Sequence, residues 1–170
     1  MMTIRRLCPD DLAAYRKLRL ECIEAHPASV SFSYAEESEL PLDQMRQRLV
    51  QTDHQALFGA FDGAELIAMA GFRREARSKI HHRGDIFGVY VAPAARGTGI
   101  ARRLLEALLE HVRTLPEMVV VTLSVRTNND SARALYRRLG FEVTGIDKRA
   151  IFADGAYHDE ERVALDLDAA

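Results

Sequence analysis

The chain has 170 residues, 48% of them hydrophobic, and a formal net charge of −2. That length suits one domain, residues 1–170, with a sizeable core, and the near-neutral charge provides no basic field to recruit nucleic acid or an anionic membrane. Two cysteines, Cys8 and Cys22, are too few for a disulfide framework, and no segment approaches the ~18 apolar residues of a membrane span.

Residues 3–7 read as a short strand, and Pro9-Asp10-Asp11 opens a helix that His26-Pro27 ends. Cys22 shares the apolar face of that helix with Leu12, Tyr15 and Leu18, which predicts a buried free thiol. Arg5, Arg6, Asp10 and Asp11 interrupt the start before any apolar run, so a soluble cytoplasmic protein is expected rather than a secreted one. Residues 29–41 are polar, acidic and irregular. Residues 42–52 read as a second helix, amphipathic through Leu42, Met45 and Leu49. Strands over 55–61 and 65–74 are joined by Asp62-Gly63, a hairpin signal. The loop over 73–83 is basic; its His81-His82 pair lacks metal-ligand spacing and nearby partners, so no metal is expected.

From Ile86 the pattern changes. Residues 86–91 are apolar on both faces, as in a central strand. Simple alternation puts Ile86, Gly88 and Tyr90 on one face and Asp85, Phe87, Val89 and Val91 on the other. A helix follows with Ile100, Leu104, Leu105, Leu108, Leu109 and Val112 at helical spacing. Next come a strand over 118–125, a helix over about 130–139 stopped by Gly140, and two strands over 143–152 and 157–167 flanking Ala153-Asp154-Gly155. The strand–helix–strand step implies parallel pairing with a right-handed crossover. The class is mixed α/β.

The turn between the 86–91 strand and its helix reads Arg96-Gly97-Thr98-Gly99-Ile100-Ala101. Glycines let the main chain approach an anion, and the free N–H groups and dipole of a helix start favour one. Arg102 and Arg103, in the first helical turn where cations are otherwise disfavoured, fit the same purpose. The spacing is neither a Walker A loop nor a dinucleotide fingerprint, whose third glycine is replaced by Arg102. About thirty residues on stand Asn129, Ala132, Leu135, Tyr136, Gly140 and Phe141, at the spacing Asn-x-x-Ala-x-x-Leu-Tyr-x-x-x-Gly-Phe.

Together the two segments resemble the GNAT superfamily of N-acetyltransferases, with the strong match covering roughly residues 86–141. The resemblance implies a central mixed sheet of about six to seven strands flanked by about four helices. It implies acetyl-CoA as co-substrate, its pyrophosphate on Arg96, Gly97, Thr98, Gly99, Ile100 and Ala101. The pantetheine arm would run along the main chain of Tyr90 and Val91 and against Asn129, which is also suited to cap its helix. Tyr136 is the expected catalytic acid for the departing thiolate, a role chemically reasonable for a phenol with pKa near 10.

A protonated amine cannot attack a thioester, so a proton acceptor is needed. The family's glutamate positions are not matched: the second strand offers Ser124. Asp85, Glu36, Glu37, Asp159, Glu160 and a water chain stay open as the base. Gly155, Tyr157, Asp159 and Glu160 match a Gly-x-Tyr-x-Asp-Glu segment of small-amine members, suited to attract a cation; a plain hairpin and a homodimer contact are its alternatives. Arg133, Arg137 and Arg138 read most simply as a solvated face. The expected function is acetyl transfer to a primary amine of a small molecule or peptide, with specificity in residues 29–39 and the 153–155 hairpin. The alternative is a CoA-binding sensor that lost turnover.

Overall fold

A computed structural model describes residues 1–168. Among them, seven strands form one sheet: β1 (Met2–Arg6), β2 (Gln55–Asp62), β3 (Glu65–Arg74), β4 (Arg83–Val91), β5 (Val120–Arg126), β6 (Glu142–Ala153) and β7 (Ala156–Asp166). Their spatial order is β1-β2-β3-β4-β5-β7-β6. Every pair is antiparallel except β4–β5. Five helices flank the sheet: α1 (Leu12–Ala25), α2 (Tyr34–Ser38), α3 (Leu42–Gln47), α4 (Ile100–Thr114) and α5 (Asp130–Arg138).

The hydrophobic pattern selects the two layers. On α4, Ile100, Leu104, Leu105, Leu108, Leu109 and Val112 are all buried, packed with Phe58, Phe72, Ile86, Val121, Leu123, Tyr136 and Phe141. A second cluster under α1 and α3 gathers Leu12, Tyr15, Leu18, Cys22, Met45 and Leu49 with Tyr90 and Met69 from the sheet. Cys22 is a buried free thiol, as its helical position predicts, and burial pushes its pKa up to about 11.

Three local expectations need correction. The segment 29–41 is not wholly irregular, because α2 forms inside it. The Ser33 hydroxyl accepts the Glu36 N–H, and the Glu36 carboxylate accepts the Ser33 N–H. This reciprocal capping box is written in the sequence as Ser-x-x-Glu. The helix after it ends at Gln47 rather than Thr52; Met45 and Leu49 are buried but Leu42 is 53% exposed.

The third correction shapes the site. Gly88 adopts a left-handed φ of +61° and forms a bulge in β4. Between Tyr90↔Met69 and Phe87↔Gly71, β4 spends one more residue than β3. The extra residue reverses the alternation. Ile86, Val89 and Val91 pack toward α4, whereas Phe87 and Tyr90 pack toward α1. Simple alternation had put Ile86 and Tyr90 together.

Candidate active site

Downstream of the bulge, β4 leaves its parallel neighbour. Their pairing runs from Arg83↔Val120 to Ile86↔Leu123 and stops. Strand β5 continues to Arg126 along β7, and β4 continues to Val91 along β3. A cleft of about 610 Å³ opens at this parting, lined by Phe87, Gly88 and Val89 on one side and Ser124, Val125 and Arg126 on the other.

The glycine turn follows the end of β4, and none of residues 90–101 is among those lining this cleft. Gly97 and Gly99 have φ of +75° and +77°. A Cβ built on either meets nothing within 4 Å, so their left-handed backbone encloses open space rather than a packed neighbour. Ile100 is buried and anchors the first turn of α4. The first intrahelical bond runs from Arg103 N to Gly99 O, so the N–H groups of Ile100, Ala101 and Arg102 precede the helical ladder. Thr98 and Gly99 are exposed, and the Thr98 hydroxyl donates to the Ala95 carbonyl. Arg102 pairs with Glu106 at 2.8 Å.

Arg96 turns back from the glycines. Its Nε donates to the Val91 carbonyl at 3.2 Å, its guanidinium lies 5.8 Å from the Tyr90 ring centroid, and one terminal nitrogen is 3.1 Å from His26 Nε2. Burial, then the charges of Arg96 and Arg126, lower the His26 pKa, which suits a neutral imidazole accepting from Arg96. The Tyr90 hydroxyl donates to Glu21 at 3.1 Å. The side chains of Tyr90 and Arg96 thus fasten α1 and the turn to the end of β4.

Across the parting, α5 presents Asn129 and Tyr136 to the cleft. The Asn129 carbonyl oxygen caps α5 by accepting the Ala132 N–H at 3.2 Å, leaving its amide NH₂ as a donor. Tyr136 is 5% exposed, its ring edge-on to Phe141 at 6.1 Å. Burial pushes its phenol up to about 12. Arg137 and Arg138 are exposed, as a solvated face requires, but the partly exposed Arg133 reaches Glu161 of β7 at 2.9 Å and Asp130 at 3.4 Å. Glu161 is buried, and the pair clamps α5 onto the sheet. Strand parity and the apolar run of β7 carry no signal of this clamp.

The carboxylates sort into distinct places. Asp85 opens onto the cleft and accepts the Thr122 hydroxyl at 2.9 Å. Asp85 is exposed at the cleft, yet the surrounding protein desolvates its carboxylate enough to raise its pKa, against the opposing pull of Thr122, Arg162 and Arg73. Glu160 also lines the cleft, and burial, then Asp147, raises its pKa, with Asp85 adding to the shift. Asp159 lies elsewhere, holding the Arg149 N–H at 2.8 Å, a bond that lowers its pKa. Tyr157 is 63% exposed and packs against Phe152. The Tyr157-x-Asp159-Glu160 segment therefore does not act as a group; alternation along β7 sends only Glu160 and Arg162 into the cleft. Glu36 is spent on the α2 cap. Glu37 is fully buried between Arg19 and Arg48, a network absent from the sequence reading because its members come from three separate segments. His81 and His82 contribute main-chain carbonyls, to Arg74 and to Val119 and Val120.

The model of the acetyltransferase (GNAT) family matches residues 13–141. The N-alpha-acetyltransferase RimI of Mycobacterium tuberculosis is 38% identical over 109 residues, 64% of this chain and 66% of that one. The spermidine N(1)-acetyltransferase of Vibrio cholerae is 32% identical over 84 residues, 49% of each chain. The match thus spans two thirds or less of these curated relatives' length. The structure of yncA from Salmonella typhimurium, with its cofactor acetyl-CoA, superimposes with a TM-score of 0.84 at 23% identity, covering 100% of this chain and 96% of that one. A match over residues 13–141 takes in both the glycine turn and the Asn129–Phe141 segment, and the chain belongs to the GNAT family of acetyltransferases.

Proposed function

We propose that this chain is an acetyl-CoA-dependent N-acetyltransferase that passes an acetyl group to the primary amine of a small molecule or peptide. The observation that carries the reading is the parting of β4 from β5, with Tyr136 and Asn129 facing into it and the glycine turn following β4 beyond it. When bound, acetyl-CoA supplies a diphosphate, an extended arm with amide groups, and a reactive thioester. The cradle fits the diphosphate: a Cβ at Gly97 or Gly99 would fill the open space, and the N–H groups of Gly99, Ile100 and Ala101 lie where an anion is favoured. Arg96 holds the turn onto Val91. The unpaired edge of β4 at Tyr90 and Val91 offers main-chain groups to the arm, and the Asn129 NH₂ offers a donor from the other side.

Two residues handle protons. Tyr136 has no acceptor for its hydroxyl among the described residues and keeps its proton until about pH 12, so it enters the reaction protonated and donates a hydrogen bond to the departing sulfur, although burial makes it a weaker acid than a thiol and so opposes full proton transfer. Asp85 takes the proton of the attacking amine. Its raised pKa brings it closer to that task, and the Thr122 hydroxyl fixes its orientation.

Calorimetry with acetyl-CoA, paired with CoA release over an amine panel, tests the reading. Binding and acceptor-dependent release are expected; a folded protein that binds no acetyl-CoA would falsify it. A CoA-binding sensor is the second reading, favoured by Ser124 standing where a carboxylate base could be; it predicts binding without release for every acceptor. The reading places the protein in the cytoplasm as one domain, its free cysteines reduced. Val143, Ile146, Phe152 and Tyr157, all exposed on the terminal hairpin, support a homodimer, which sedimentation tests.

A further inference from the structure

A buried arginine in the cleft wall has too little negative charge around it. Arg19 is 5% exposed, although it sits on the inner face of α1 among Tyr15, Leu18 and Cys22. Its Nε donates to Glu37 Oε1 at 3.3 Å. Arg48 donates to the same carboxylate through both terminal nitrogens. Glu37 is fully buried and carries one negative charge against two guanidiniums. Buried charges in folded proteins are normally paired, so this wall holds one positive charge in excess.

The geometry points that excess into the cleft. Among the described residues, the terminal nitrogens of Arg19 have no acceptor, and one of them sits 3.1 Å from where a Cβ on Gly88 would stand. It therefore lies against the bulge at which β4 leaves β5. Phe32 covers both guanidiniums, its ring centroid 5.9 Å from Arg19 and 5.6 Å from Arg48. Arg19 is not among the charges acting on Asp85 or Glu160. The cations acting on Asp85 and Glu160 are Arg162 and, for Asp85, Arg73. The cleft thus has a cationic wall on α1 and, apart from it, a mixed wall in which Asp85 and Glu160 stand with Arg73 and Arg162.

The diphosphate of acetyl-CoA belongs at the far glycine cradle, and its thioester is neutral. The missing anion must arrive with the acceptor. We propose that Arg19, backed by Glu37 and Arg48, is a receptor for an anionic group on the acceptor, and that the acceptor is a compact amino acid whose amine faces Asp85 and Glu160 while its carboxylate faces Arg19. This rests on the acetyltransferase reading above. The proposed compactness rests on the roof: Ser29, Phe32 and Ile151 all line the cleft, and β6 packs against the Pro27–Ser29 turn. The Arg19–Glu37–Arg48 set is fixed before any acceptor arrives, so little side-chain entropy is lost on binding.

The test uses the twenty L-amino acids, each beside its amide and its decarboxylated amine, with spermidine as a polycation. Two readouts are taken: CoA release from acetyl-CoA, and calorimetric binding to the CoA-loaded protein. For the preferred amino acid, kcat/KM and affinity should exceed those of its amide and amine by about ten- to a hundredfold. Arg19→Gln should remove that preference while leaving the amide and amine nearly unchanged; Arg19→Lys, which keeps the charge without the fork, should retain part of it. Circular dichroism confirms that each variant is folded. Equal or better use of amides or amines by the wild type overturns the proposal. So does an Arg19→Gln variant that loses all acceptors equally, which would assign Arg19 to the thioester or to the fold. If the acetyltransfer reading fails instead, CoA release is absent with every acceptor, while the calorimetric arm still decides whether an amino acid is preferred over its amide.

Discussion

The two halves of the candidate site are built from different materials. The half around the glycine turn is main chain: left-handed glycines, helix-start N–H groups and the open edge of β4. It comes from one continuous segment, 86–101. The acceptor half is side chain: Arg19 from α1, Glu37 from α2, Arg48 after α3, Asp85 from β4 and Glu160 from β7. A backbone site is specified by local spacing and tolerates varied side chains. A side-chain site is specified by which distant segments the fold brings together, and each member is separately replaceable. One family can therefore keep its cofactor half and vary the other.

The sharpest way to break the acceptor half is Asp85→Asn. It keeps the shape and the Thr122 hydrogen bond but cannot accept a proton. Turnover is expected to fall by about a hundred- to ten-thousandfold, with acetyl-CoA affinity unchanged by calorimetry. In the wild type, desolvation by the surrounding protein raises the Asp85 pKa, so the base is lost as pH falls through a value above the usual carboxylate range. The acid limb of kcat/KM should sit correspondingly high and disappear in Asp85→Asn; an acid limb that persists unchanged assigns it elsewhere.

The cofactor half is broken by Gly99→Val. A β-branched residue at φ of +77° is strained, and its side chain enters the cradle. The acetyl-CoA Kd should rise by about a hundredfold, while circular dichroism shows the fold retained. Undiminished affinity would move the diphosphate away from the turn.

Tyr136→Phe sharpens the comparison, since Tyr136 is a side chain working in the backbone half. Removal of the hydroxyl should lower kcat by roughly tenfold or more and leave acetyl-CoA binding intact. An equal rise in Kd would make Tyr136 a binding residue only. The smallest effect expected is none at all: because the phenol keeps its proton to about pH 12, kcat should not decline through Tyr136 ionisation up to about pH 10. A decline below that, absent in Tyr136→Phe, would show the phenol ionising early.

The same division decides what the sequence revealed. The order of strands and helices, the α4 stripe, the parallel β4–β5 step and the glycine turn depend on neighbours within a few residues, and all are readable there. The facing of β4 is not, because one inserted residue at Gly88 reverses every side chain beyond it. Arg19 was hidden for a different reason. It occupies an apolar helical face, and only Glu37, eighteen residues away, makes its burial tolerable. Glu161 and Arg133 are separated by twenty-eight residues and meet only because α5 lies over β7. The short α2 was legible in its Ser33–Glu36 pair, which the polar composition around it masked.

The bulge at Gly88 has one more consequence. Sheets ordinarily carry their unpaired edges at the rim, where other strands can add to them. Here a raw edge lies in the middle of seven strands, with α1 on one side and α5 on the other. Elements of the same chain enclose this edge, so it is less accessible to a second protein strand than an edge at the rim would be. Only a slender guest with its own amides can complete the ladder. Such a guest becomes, for as long as it stays, an eighth strand, and the amide hydrogens of β4 past Gly88 should exchange with solvent more slowly while it is present.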